Sequence, residues 1–146
     1  MLECYKITEE EATKVAALEN EIFPDPWSEK GISDTIHQSH AFIAVAKEAD
    51  DIAGYCILYH VMDEGEIARI GVGRDCRRMG VGKRVLDYVV EECKVLGVER
   101  LLLDVRESNL GARAFYQNYG FKEDGIRKNF YDNPKEHAVL MSKELV

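Results

Sequence analysis

Between a strand-like run ending at Val72 and an amphipathic segment beginning near Gly80 lies a turn crowded with glycine and positive charge, Gly73-Arg74-Asp75-Cys76-Arg77-Arg78-Met79-Gly80-Val81-Gly82-Lys83-Arg84. Five of these residues are basic and one is acidic, in a chain whose formal net charge is −8. Glycines at 80 and 82 let a ligand come close to the backbone. A helix starting there aims its first unpaired N–H groups at any docked anion. Arginine and lysine side chains neutralise further charge. The chemistry suits a phosphate, and a pyrophosphate in particular. The plainer alternative is a solvated basic turn with structural glycines.

Spacing excludes two familiar phosphate motifs. A P-loop continues from Gly-Lys to Ser or Thr, but Lys83 is followed by Arg84. The dinucleotide fingerprint needs a third glycine that neither Gly71-Val72-Gly73 nor Gly80-Val81-Gly82 supplies.

The rest of the chain alternates between helical and strand periodicity. Thr8-Glu9-Glu10-Glu11 reads as a capping box opening a helix to about Phe23, with Ala12, Val15, Leu18 and Ile22 as its apolar positions. Pro24 and Pro26 stop it, and Ser28 caps a short second helix containing Ile32 and Ile36, with Trp27 just ahead. Phe42 to Ala46 and Ile52 to Val61 form a predicted hairpin around Glu48-Ala49-Asp50-Asp51, and Glu66 to Val72 is a third strand. A long helix is predicted from about Gly80 to Leu96, burying Val81, Val85, Leu86, Val89, Val90, Cys93 and Leu96, with Gly97 ending it. Arg100 to Val105 is a strand, Asn109 to Tyr119 a helix closed by Gly120, and Phe121 begins another strand. His137 to Leu145 is the last strand. The expectation is one α+β domain over residues 1–146, with a central mixed sheet flanked by helices.

Net acidity argues against a direct nucleic-acid or membrane partner. The four cysteines, Cys4, Cys56, Cys76 and Cys93, form no C-x-x-C pair, and the histidines are scattered, so no metal is expected. No basic-then-apolar leader or membrane-length apolar run is present, which gives a soluble, cytoplasmic expectation.

Arg77-x-x-Gly80-x-Gly82, set between a strand and a helix, resembles the acyl-CoA motif of the GNAT acetyltransferases. The resemblance covers nearly the whole chain and implies the GNAT fold, with acetyl-CoA as co-substrate. Leu102-Leu103-Asp104-Val105-Arg106-Glu107-Ser108-Asn109, then Ala114-Phe115-Tyr116 and Tyr119-Gly120-Phe121, is similar to that family's next two elements. Phe23-Pro24-Asp25-Pro26-Trp27-Ser28, Ile126-Arg127-Lys128-Asn129-Phe130-Tyr131 and Ala138-Val139-Leu140-Met141 resemble segments of the RimI-type ribosomal-protein-alanine N-acetyltransferases. The chain departs from the RimI-type pattern twice. Asp104 stands where those enzymes usually carry a catalytic Glu, and Arg69 stands where Asn often precedes Ile-Ala-Val.

The resemblance implies a cofactor site made of Ile70, Gly71, Val72, Arg77, Arg78, Met79, Gly80, Val81, Gly82, Lys83, Asn109 and Tyr116. In this reading the glycine-rich turn binds the pyrophosphate and Asn109 contacts the cofactor arm. The N–H groups around Gly71 and Val72 polarise the thioester, and Tyr116 protonates the departing thiolate. Asp104 is the expected base for the amine, acting through water because it is about 1.5 Å shorter than Glu. Glu64 and Glu66 are backups. The structural alternatives are a core aromatic at 116 and a capping or salt-bridging aspartate beside Arg106. The expected reaction is direct acetyl transfer in a ternary complex to the N-terminal α-amine of a protein, in particular the alanine of a small-subunit ribosomal protein. The other readings are a GNAT enzyme for small amines or lysines, and a non-catalytic CoA-binding module.

Overall fold

The hairpin and strand patterns pair into one mixed sheet whose first edge is a strand the periodicity did not reveal. The computed structural model describes residues 1–77 and 79–146. Among them the strands are β1 (Leu2–Lys6), β2 (Ala41–Glu48), β3 (Asp51–Val61), β4 (Glu64–Val72), β5 (Arg100–Arg106), β6 (Lys122–Tyr131) and β7 (Glu136–Glu144). The helices are α1 (Ala12–Ile22), α2 (Glu29–Ile36), α3 (Val81–Val95) and α4 (Leu110–Tyr119). The strands lie in the order β1-β2-β3-β4-β5-β7-β6. Neighbours run antiparallel except β4 and β5, which are parallel and joined through α3.

β1 escapes the pattern because five residues with mixed burial carry little periodicity. It becomes a strand by pairing with β2, from Leu2 opposite Glu48 to Lys6 opposite Ala44. The expected caps form. Glu11 Oε1 accepts from the Thr8 N–H at 3.0 Å, and Ser28 Oγ accepts from Gly31 N–H at 3.0 Å. A 3-10 turn over Glu9–Glu11 leads into α1. Leu96, expected on the buried face of α3, is 41% exposed, because the helix ends at Val95 and Gly97 turns the chain with φ +83.

Alternation along the central strands divides the core into two layers. On one face α3 lays Val85, Leu86, Val89 and Cys93 over Ala44, Cys56, Leu58 and Leu101. On the other, Val15 of α1 and Ile32 of α2 pack on Ile43, Val45, Tyr55 and Ile57.

The parallel pair positions everything that follows. β4 and β5 are bonded only from Glu64 opposite Arg100 to Glu66 opposite Leu102. Leu58 then pairs with Ile67 and Ile57 with Arg69, so Ala68 is an extra residue and β4 bends there. Past the bulge β4 stays with β3, as far as Val72 opposite Gly54. β5 stays with β7, as far as Arg106 opposite Ala138. The sheet therefore opens as a wedge between residues 69–72 and 103–106.

Candidate active site

The phosphate-type turn ends at an open helix terminus. Gly80 is the N-cap of α3 with φ 75 and ψ 15, a left-handed conformation that favours glycine, and no side chain caps the helix. The first helical bond runs from Arg84 N–H to the Gly80 carbonyl at 3.1 Å. The N–H groups of Val81, Gly82 and Lys83 precede it and have no i−4 carbonyl within the helix. A Cβ at Gly80 would meet nothing within 4 Å, whereas one at Gly82 would stand 3.0 Å from Phe115 Cζ. Glycine at 82 thus serves the approach of α3 to α4, a need the sequence pattern alone does not distinguish from ligand approach.

The basic side chains around this end are tied loosely to the protein. Arg77 Nε donates to the Val72 carbonyl at 3.3 Å, Arg84 Nη2 to the Leu2 carbonyl at 3.2 Å, and Lys83 Nζ reaches Asp87 at 3.0 Å. Such exposed contacts are weak and exchange readily for a stronger anion. Met79 is exposed. Arg78, expected in the same cluster, lies outside the described residues. A cavity of about 490 Å³ between α3 and α4 is lined by Lys83, Asp87, Phe115, Asn118, Tyr119 and Lys143.

Within the wedge, Ile70 and Val72 pack against the α3-side core. Gly71 faces the other way onto the Tyr55 ring, where a Cβ would lie 2.5 Å from the phenol oxygen. Asn109 is the N-cap of α4, and its Oδ1 accepts from Ala112 N–H at 3.1 Å. Its carbonyl is thereby engaged in the protein, and its amide N–H groups are its remaining donors.

Tyr116 is only 6% exposed, between Phe115 and Phe121, whose ring centroids lie 5.3 and 5.5 Å away. Burial, then the neighbouring Cys56 and Tyr131, push its phenol well above the ordinary tyrosine range. The phenol therefore holds its proton as pH rises past neutrality.

Asp104 projects from the opposite face, away from the α3-side core where Leu103 and Val105 are buried, and is exposed. Tyr131 at the end of β6 belongs to the same side. Its phenol is raised by burial first, then by the charge of Asp104, with Arg106 and Arg69 acting the other way. The Arg106 guanidinium lies 4.5 Å over the Tyr131 ring and reaches Glu136 at 3.2 Å. Glu64 and Glu66 both belong to the paired end of β4, Glu64 beside Arg100 at 4.0 Å and Glu66 on the last rung before the wedge.

Sequence reasoning missed a buried polar node on this face. Glu19 is 0% exposed. It accepts from the Tyr55 hydroxyl, from Trp27 N–H at 2.9 Å, and from Arg69 through Nε at 3.2 Å and Nη2 at 3.1 Å. The signal was present, because Glu19 continues the stripe of Ala12, Val15 and Ala16 at helical spacing. A carboxylate on an apolar stripe requires partners. Tyr131, read only as part of a motif, was likewise not placed in the site.

Residues 12–121 match the acetyltransferase (GNAT) family. A ribosomal protein bS18-alanine N-acetyltransferase of Salmonella typhimurium is 36% identical over 120 residues, covering 80% of each chain. Its namesake from Escherichia coli K12 is 33% identical over 119 residues, again 80% of each. The crystal structure of the ribosomal-protein-S18-alanine N-acetyltransferase from Escherichia coli superposes with a TM-score of 0.90 at 28% identity, covering 99% of this chain and 94% of that one.

Proposed function

The chain belongs to the acetyltransferase (GNAT) family, and from that membership we propose that it acetylates the N-terminal α-amine of a protein, the alanine of a small-subunit ribosomal protein. The observation that carries this reading is the wedge between β4 and β5, with the uncapped N-terminus of α3 at one side and Tyr116 and Asp104 on its two faces. The acceptor follows from the relatives named as ribosomal protein bS18-alanine N-acetyltransferases.

Acetyl-CoA supplies the activated acetyl thioester. The N–H groups of Val81, Gly82 and Lys83 hold its pyrophosphate, and Arg77, Arg78 and the backbone at Met79 and Gly80 enclose it. Asn109 donates to the arm through its amide. The N–H groups at Gly71 and Val72, beside Ile70, polarise the thioester carbonyl. Asp104 takes the amine proton through a water, and the neutral amine attacks directly in the ternary complex. As the C–S bond breaks, Tyr116 gives its proton to the departing thiolate and is reprotonated by the second proton the nitrogen loses as the amide forms. The ammonium thus gives up two protons, one to Asp104 through water and one, by way of Tyr116, to sulfur. An α-amine with a pKa near ~8 is about a tenth neutral at pH 7, whereas a lysine near ~10.4 is neutral to well under ~0.1%. A short, water-mediated base therefore suits the α-amine.

The test is acetyl transfer to an array of Ala-initiated peptides, with internal lysines and free polyamines as controls and mass spectrometry to locate the product. Acetylation at the peptide α-amine is expected. Turnover of free amines or lysines alone overturns the acceptor, and CoA binding without turnover overturns catalysis.

A further inference from the structure

Arg69 is held in a way that leaves one edge of its guanidinium unused. The bulge at Ala68 places it on the α1–α2 side of the sheet, where Glu19 accepts from Nε and Nη2. Nη2 also donates to the Asp25 carbonyl at 2.7 Å. The guanidinium lies 3.9 Å over the Phe23 ring, which blocks rotation. Nη1 has no hydrogen-bond acceptor among the described residues. The Arg69 side chain keeps 16% of its surface exposed. A planar fork fixed along one edge presents the other in a set direction. On the same side lie Asp104 and Tyr131, and the Tyr131 phenol feels the charges of both Asp104 and Arg69.

We propose that Arg69 Nη1 donates a hydrogen bond to the carbonyl oxygen of the acceptor's first residue, so that the site reads a peptide α-amine rather than any primary amine. The inference rests on the α-amine reading above and names the group that enforces it. A peptide places a carbonyl acceptor directly after the α-carbon, whereas a lysine side chain or an alkylamine places methylenes there. A charged donor already oriented by Glu19 loses little freedom when it binds. Without the carbonyl it contributes nothing to binding in the site.

The experiment compares kcat/KM for an Ala-initiated peptide with the same peptide carrying a trans-alkene in place of its first amide. The isostere keeps the α-amine and removes the carbonyl, and rates are compared per neutral amine after titration of each peptide. Wild type is expected to prefer the amide by roughly 10- to 100-fold, the usual range for one hydrogen bond to a charged group. The double variant Glu19→Gln/Arg69→Gln removes both charges together, so no buried carboxylate is left unpaired. It is expected to use both peptides at about equal rates. The wild-type comparison stands even where that variant fails to fold. Equal use of both peptides by wild type overturns the role of Arg69 while α-amine acetylation stands. A folded variant that keeps the preference overturns it too. Turnover of free amines with neither peptide acetylated overturns the inference together with the reading on which it rests.

Discussion

Gly82 of α3 faces the Phe115 ring of α4 so closely that a Cβ at 82 would stand 3.0 Å from Cζ and 3.2 Å from Cε1. Gly82→Val is therefore expected to destabilise the fold by about 1–3 kcal/mol through overpacking, and to weaken acetyl-CoA binding as α3 shifts. Phe115→Leu in that background should recover part of the stability. Melting and calorimetric titration of the single and double variants check this. No recovery removes the α3–α4 contact as the cause. Gly80→Ala differs, because its Cβ meets nothing within 4 Å and only the left-handed backbone is penalised, by about 1–2 kcal/mol.

Tyr116→Phe is expected to lower kcat by about 100-fold or more with little change in KM for acetyl-CoA, since the variant keeps the ring and loses the proton. Burial raises the Tyr116 phenol above its ordinary value, so the acid form persists as pH rises. Wild-type kcat should accordingly show no alkaline decline near pH ~10, where an unperturbed tyrosine ionises. Near-normal turnover in the variant assigns Tyr116 to packing.

Asp104→Asn is expected to remove most activity at pH 7, with a deficit that shrinks as pH rises and more of the acceptor amine is neutral unaided. Asp104→Glu should equal or exceed wild type. The measurement is kcat/KM against pH on one Ala-initiated peptide for all three proteins. Parallel profiles for wild type and Asp104→Asn move the role to Glu66, on the last paired rung beside the wedge, or to no base.

Stability should fall at alkaline pH through the buried thiols. Burial pushes the Cys93 thiol from 9.0 up to about 12, and Cys56 is raised in the same direction. Between those two values the folded chain binds more protons than the unfolded one, so stability decreases as pH rises; below pH 9 this contribution is complete. Urea unfolding at pH 7.5, 9 and 10.5 is expected to give falling free energies, with a shallower slope for Cys93→Ala. An identical slope in that variant assigns the alkaline loss to other groups, Tyr5 among them.

The local elements and the phosphate-type turn were legible along the chain, because these depend on periodicity and on residues close in sequence. The stripe from Val81 to Cys93, Ser28 as a cap and Gly97 and Gly120 as helix ends all sit where their patterns put them. Tertiary structure alone decided three things. β1 exists because β2 offers it an edge. The wedge exists because a bulge at Ala68 turns β4 from β5, and no local pattern announces where two strands part. The Glu19–Arg69 pair joins residues fifty positions apart, so its charges are visible in the sequence but their partnership is not. Periodicity records which face a side chain takes, and only packing decides what meets it there.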